Sequence, residues 1–203
     1  MCWNSTVSLN TFICGLFAVS FAYYNEVITL YEGLFYMSFI CIQLVEYFAW
    51  KNLNNKKMNK VVSYCALLLV LLHVPLLAIA YNKNKNVNYI IIVLFALIII
   101  IAPFRNIDMS MVKSSNGHLQ WNFSKTFGIV TAIYLFISAC LLLYNKQYVV
   151  FTVLAATCVF SMYSYLKSNT WTSMWCWTAN ILCIYLLAKV FYKDFCTLEG
   201  TIL

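Results

Sequence analysis

Seven apolar runs, each separated from the next by a few polar residues, follow one another along the chain. They cover about 9–24, 27–50, 60–81, 87–105, 126–143, 148–166 and 172–192. Each approaches the ~20 residues that carry a helix across a bilayer. A chain that crosses lipid must pair its whole backbone, so it is a helical bundle or a closed barrel. Continuous runs, rather than ~10-residue alternating segments, select helices. The expectation is one all-α domain over residues 1–203, a seven-transmembrane helix bundle. The first two runs are joined by only "YYNEV", which predicts a tight helical hairpin. "KNLNNKKMNK", "NKNKNV", "NKQ" and "KSNT" separate later runs. Residues 106–125, containing "SSNGHLQWNFSK", form the one longer link. Their mixture of aromatic and polar side chains predicts a loop lying at the membrane interface.

Composition agrees with that pattern. Of 203 residues, 64% are hydrophobic and 9% are charged, against roughly 25% charged in an ordinary soluble domain. A soluble core of this size could not hide so much apolar surface. The expected partner is the lipid bilayer. The net charge of +7 comes from Lys and Arg placed mostly between the runs, where they report topology, and no nucleic-acid partner is expected. Oligomeric state is not encoded in any pattern here.

Alternate sides of the bilayer receive unequal positive charge. Lys51, Lys56, Lys57, Lys60, Arg105, Lys113, Lys125 and Lys167 share the N-terminal side, and Lys83, Lys85, Lys146, Lys189 and Lys193 the other. The excess predicts a cytosolic N-terminus and an outside C-terminus. Two glycosylation sequons, "NST" at Asn4 and "NFS" at Asn122, fall on the predicted cytosolic side, so glycan there would invert the assignment. A competing reading takes the first run as a signal peptide ending near "SFA", residues 20–22, leaving six spans. Its leader "MCWNSTVSLN" lacks the positive charge such signals carry. Aligning the second run on the sixth matches only Phe35 with Phe151, Tyr47 with Tyr163 and Lys51 with Lys167, which establishes no internal repeat.

The polar residues inside the runs carry whatever chemistry there is. Glu32, Tyr36, Phe39, Gln43 and Glu46 are spaced four, three, four and three, one face of a helix. Lipid does not solvate such a stripe, so that face turns inward. It is read either as an ion or solute pathway, or as near-interface carboxylates tied to neighbouring donors. His73, in "LLHVPLL", lies at a depth between Glu32 and Gln43. It either bonds the Leu71 carbonyl that Pro75 leaves free or pairs with the second run. Asn180 sits deep in the last run and needs a partner across helices. Trp171, Trp175 and Trp177 read as an interfacial aromatic belt. Ser161, Tyr163, Ser164 and Tyr165 read as helix glue. The nine cysteines include Cys14, Cys41, Cys65, Cys140, Cys158, Cys176 and Cys183 inside apolar runs, with no metal-ligand spacing, and read as small buried hydrophobes. There is no nucleophile elbow, HExxH, phosphate loop or histidine cluster, so neither an enzyme, a metal nor a cofactor is expected.

Three blocks, "LVEYFAWKN", "NGHLQWNF" and "SMWCWTAN", at about 44–52, 116–123 and 173–180, resemble a family of multi-pass membrane proteins of unassigned activity encoded by large DNA viruses and some protists. The resemblance implies a seven-helix membrane protein and supplies no functional residue. Seven helices also invite comparison with microbial rhodopsins, where a mid-helix lysine binds retinal. Here Lys189 is near the end of its run and is read as snorkelling to water. The function expected is a transporter or channel for a small solute or an ion, using Glu32, Gln43, Glu46, His73 and Asn180. The alternatives are a receptor or membrane-organising protein and, further off, a retinal protein.

Overall fold

The computed structural model describes residues 3–101, 107–126, 128–175 and 177–200. Nine helices and one two-stranded hairpin are present among them: α1 (Ser5–Tyr24), α2 (Leu30–Lys51), α3 (Lys56–Tyr81), α4 (Lys85–Ile101), β1 (Met111–Lys113), β2 (Leu119–Trp121), α5 (Phe123–Thr126), α6 (Gly128–Tyr144), α7 (Tyr148–Tyr165), α8 (Trp171–Met174) and α9 (Trp177–Gly200). The fourth run was expected to reach 105; its last four residues, Arg105 among them, lie outside the described residues, as does Cys176.

Local signals fix where the helices begin and end. Asn4 Oδ1 accepts the Val7 N–H at 2.9 Å, starting α1 four residues earlier than the hydrophobic pattern predicted. Thr29 and Glu32 form a reciprocal capping box on α2, and Asn55 caps α3. Three helices end with a residue in the left-handed region, Glu26 (φ 56°), Lys146 (φ 57°) and Asn169 (φ 54°). At each, the next N–H reaches back five residues, from Val27 to Ala22, Gln147 to Leu142 and Thr170 to Tyr165. This closure satisfies carbonyls that a helix end leaves open.

Packing closes the helices into a ring. α1 lies against α2, α2 against α3, α3 against α6, α6 against α7, α7 against α9, and α9 returns to α1, while α2 also touches α9 across the middle. α4 lies outside the ring on α3. The α1–α2 approach is close because Gly15 has no side chain; a Cβ there would meet three Ile40 carbons at 2.8–2.9 Å. The ring also makes α1 a structural wall of the domain.

Five helical segments are long and apolar enough to cross a membrane: Ser5–Tyr24, Leu30–Lys51, Lys56–Tyr81, Tyr148–Tyr165 and Trp171–Lys193. Lys85–Ile100 and Val130–Tyr144 are shorter apolar helices. The outer surface is apolar: Ile90, Phe136, Val159, Tyr163 and Ile184 are all exposed. A water-soluble monomer rarely shows contiguous apolar surface on this scale. The fold is that of an integral, multi-pass helical membrane protein. Cys158 and Cys183 are buried as expected of small hydrophobes, whereas Cys14, Cys65 and Cys140 face outward, where lipid accepts a thiol of low polarity.

The long link differs from its expectation. It folds as an antiparallel hairpin, with Met111 opposite Trp121 and Lys113 opposite Leu119. Ser114 N–H donates to His118 O, Gly117 N–H donates to Ser114 O, and Gly117 takes φ 84°. That is a type I turn closed by a glycine bulge, the geometry "SNG" favours. One face, Met111, Leu119 and Trp121, is buried. Asn59, at the start of α3, clamps the strand edge: its Nδ2 donates to Met111 O and its Oδ1 accepts the Met111 N–H, both at 2.8 Å. At the hairpin tip, Asn116 Nδ2 donates to Ser168 Oγ (2.9 Å) and Thr170 Oγ1 (3.0 Å) on the α7–α8 link. The hairpin therefore roofs the end of the ring at which α2 stops and α3 starts.

Candidate functional site: a cavity inside the bundle

Beneath this roof is a cavity of about 90 Å3. α2 contributes Phe39 and Gln43, α3 contributes Leu71 and His73, α6 contributes Thr131 and Tyr134, α8 contributes Trp171 and Thr172, and Trp175 and Thr178 follow. Trp121 and Phe123 come from the hairpin and α5. Aromatic rings share the wall with aliphatic side chains such as Ile42, Leu67, Val70 and Val130, and among the described residues no lining side chain carries a formal charge with histidine neutral.

The polar groups of the wall fall into two sets. In the first, every group is matched. His73 Nδ1 lies 3.1 Å from Tyr134 Oη, and the imidazole stacks on Phe39 with centroids 4.0 Å apart. Trp175 Nε1 donates to Thr157 Oγ1 (3.0 Å), which is 2.7 Å from Thr178 Oγ1. This network ties α7 to α9, and Trp175 presents its edge geometry to both Phe39 and Tyr134. The second set has no hydrogen-bond partner among the described residues: Gln43 Oε1 and Nε2, His73 Nε2, Thr172 Oγ1 and Trp121 Nε1. The backbone of Ser38 lies near enough to act on the imidazole, but no hydrogen bond of acceptable geometry reaches Nε2. Gln43 is 0% exposed with both ends of its carboxamide unmatched. Such a group normally finds a partner, because burying it bare costs about 1–3 kcal/mol per polar atom.

The expected site residues separate. Gln43 and His73 meet at the cavity. Glu46, one turn further along α2, is fully buried, has an interaction partner and does not line the cavity. Asn180 follows the lining residue Ala179; its Nδ2 is buried without a hydrogen-bond partner among the described residues, but it does not line the cavity. Glu32 lies at the opposite end of α2, where its Oε2 accepts the Thr29 N–H at 2.7 Å as half of the capping box. From Glu32 to Glu46 is about 21 Å at 1.5 Å per residue. Between Glu32 and the cavity stand the Tyr36–Tyr81 hydroxyl pair (2.8 Å) and then the Phe35–Phe39 edge contact (5.4 Å). The stripe is thus two polar sites with an aromatic barrier between them.

His73 packs on the second helix, stacked on Phe39 of α2, and its Nδ1 meets the hydroxyl of Tyr134 on α6, a residue the sequence pattern did not single out. The tryptophans are not a simple belt either, since Trp171 and Trp175 turn to the cavity. The glue set is divided as well: Ser161 Oγ is buried and unmatched, Tyr163 is almost wholly exposed, and Tyr165 meets His118 edge-on. Lys189 is ten residues beyond Ala179, about 15 Å along α9, and is not part of the lining. Among the described residues no cluster of three His, Cys, Asp or Glu side chains could hold a metal ion.

The site is thus a cavity between helices of a multi-pass helical protein, walled by aromatic and aliphatic side chains. No protein-family model matches the chain, and neither the curated proteins nor the solved structures contain a detectable match.

Proposed function

We propose that the protein is a membrane carrier for a small solute, and that the cavity between α2, α3, α6 and α9 is its binding site. The observation that carries this reading is the cavity itself, enclosed between α2, α3, α6 and α9 with Gln43, a fully buried carboxamide that has no hydrogen-bond partner among the described residues, packed at its wall. A lining uncharged among the described residues and the aromatic barrier beside Phe39 favour a solute over a proton or metal-ion relay. All seven apolar helices cross the bilayer in this reading. α4 and α6 have 17 residues each, which at 1.5 Å per residue is about 25 Å, the short end of the spanning range. The N-terminus is cytosolic on the charge argument, and the hairpin faces the same side. The resemblance to viral and protist multi-pass proteins is compatible with this and adds no activity; no catalysed reaction is proposed.

A second reading is favoured by the double tie of the hairpin to Asn59 and to the α7–α8 link. In a receptor, occupancy of the cavity would be transmitted through that roof. Reconstituted liposomes separate the two. A carrier gives saturable uptake of a small neutral solute that is lost in Gln43→Met. Binding without flux selects the receptor, and absence of both rejects the site. For orientation, Asn4 and Asn122 are expected to stay unglycosylated in a eukaryotic host. A glycosidase-sensitive mass shift that vanishes in Asn122→Gln would invert the topology.

A further inference from the structure

We propose that the hairpin end of the bundle docks the headgroups of anionic phospholipids in the leaflet it adjoins, through lysines that three separate links bring together. The proposal is independent of the cavity. Positive charge between spans is expected of a membrane topology; what the fold adds is where that charge is put. Lys56, Lys57 and Lys60 open α3. Asn59, beside Lys60, holds both the N–H and the carbonyl of Met111 at 2.8 Å, which fixes β1, ending in Lys113, against the start of α3. Ser114 Oγ donates to Ser168 O at 3.3 Å, so the chain next to Lys113 meets the chain next to Lys167. All five lysines are exposed.

The surroundings of these lysines select a lipid over a soluble polyanion. On α3, Lys57, Val61, Tyr64 and Leu68 are spaced four, three and four, one face of a helix, and all four are exposed. On α7 the exposed Val159 and Tyr163 lead in the same way to Leu166 and Lys167. In a protein that spans the bilayer, such apolar stripes meet acyl chains. The lysine one turn beyond each stripe then lies at the depth of the phosphates, with its aliphatic stem along the apolar surface. A nucleic acid or an acidic protein would have to displace the headgroup layer to reach the same ammonium groups.

Little negative charge of the protein competes for them. Among the described residues Asp108 is the exposed acid of this end, and its two oxygens already accept from Ser110 Oγ (2.6 Å) and Asn122 Nδ2 (2.9 Å). Glu46 is fully buried. Glu26 and Glu32 stand at the opposite end, around the α1–α2 turn. A zwitterionic lipid carries its own cation next to the phosphate, so an anionic headgroup gains more from the cluster. Each lysine near a membrane surface is worth roughly fivefold in affinity for anionic lipid. Because the charges are exposed, that gain is screened as salt rises.

The test is native mass spectrometry of the full chain in detergent, titrated with phosphatidylglycerol and with phosphatidylcholine of the same acyl chains. Expected is phosphatidylglycerol binding at least about tenfold tighter, with the advantage shrinking as the ammonium acetate concentration rises. The triple variant Lys60→Gln, Lys113→Gln, Lys167→Gln is expected to remove the advantage. The triple variant Lys83→Gln, Lys85→Gln, Lys146→Gln, with the same change of net charge at the opposite end, is expected to keep it within about twofold. Equal affinity of wild-type protein for the two lipids overturns the proposal. Equal loss in the two triple variants also overturns it, by assigning the effect to overall charge. A single-stranded oligonucleotide that displaces bound phosphatidylglycerol at equal phosphate concentration overturns it in favour of a nucleic-acid surface. Should the hairpin-end variant fail to fold, the wild-type series decides, because an advantage that survives high salt rules out exposed lysines as its source.

Discussion

Replacing Gln43 with methionine should leave the purified protein as stable as the wild type or more stable. Methionine keeps the length and flexibility of the side chain and removes its polar end. In the fold, Gln43 is 0% exposed and neither Oε1 nor Nε2 has a hydrogen-bond partner among the described residues. On soluble-protein scales each unmatched group costs about 1–3 kcal/mol. The net gain is smaller here. A membrane protein unfolds into a state whose helices remain in lipid, so α2 would still hold Gln43 away from water, and polar contacts in bilayers are worth nearer 1 kcal/mol. A gain of about 0–2 kcal/mol follows, and each kcal/mol moves the midpoint of a chain this size by about 2–4 °C. Thermal unfolding followed by tryptophan emission measures it, since Trp121, Trp171 and Trp175 line the same cavity. The variant should lose solute binding at the same time, the trade-off expected of a group kept for function. A loss of more than about 1 kcal/mol in Gln43→Met would show that the carboxamide holds helices together, and the reasoning from its unmatched atoms would be wrong.

Other substitutions test the supports of the site. Asn59→Ala removes both hydrogen bonds to Met111 and leaves that strand edge unpaired, so the hairpin should become sensitive to protease and Trp121 emission should shift to the red; unchanged protection would deny Asn59 its clamping role. Glu32→Gln should be tolerated in stability and in flux, because glutamine completes the same capping box. Glu32→Leu should cost about 0.5–2 kcal/mol through loss of the cap, and a steep loss of flux in Glu32→Gln with normal folding would restore the ion-pathway reading. His118 packs edge-on against Tyr165 (5.5 Å), and its partial burial pushes the imidazole below its ordinary range. A histidine depressed in the fold binds its proton more readily when unfolded, so its contribution is present above about pH 6.5 and is lost as the pH falls through the folded value. Its NMR titration midpoint should therefore lie below that of a free histidine, and a midpoint above it would contradict the packing.

Much of the fold is legible in the sequence because lipid imposes long, continuous apolar helices, and the first, second, third, fifth and sixth runs end within a few residues of where the pattern put them. The last run is broken between α8 and α9, a local turn at Trp175 that hydropathy does not register. The hairpin was legible in principle: "SNG" between alternating Met111, Lys113, Leu119 and Trp121 is a turn signal, masked by the short strands and by polar residues that also suit an interface. Periodicity on α2 placed Gln43 on an inward face but could not tell which neighbour met it. Glu32 shares that face, yet three residues from a threonine at a helix start it is first a cap. Tyr134 and Trp175 complete the cavity from distant helices. Their roles depend on which helices adjoin, which one helix's periodicity does not encode. The isolated tyrosine in "TAIYLF" was the signal that could have pointed to α6.

The most direct measurement is a high-resolution electron cryomicroscopy map of the protein in lipid. The account predicts ordered density inside the cavity between α2, α3, α6 and α9. A map in which Gln43 bonds directly to protein groups and neighbouring side chains fill the space between α2 and α6 would contradict it.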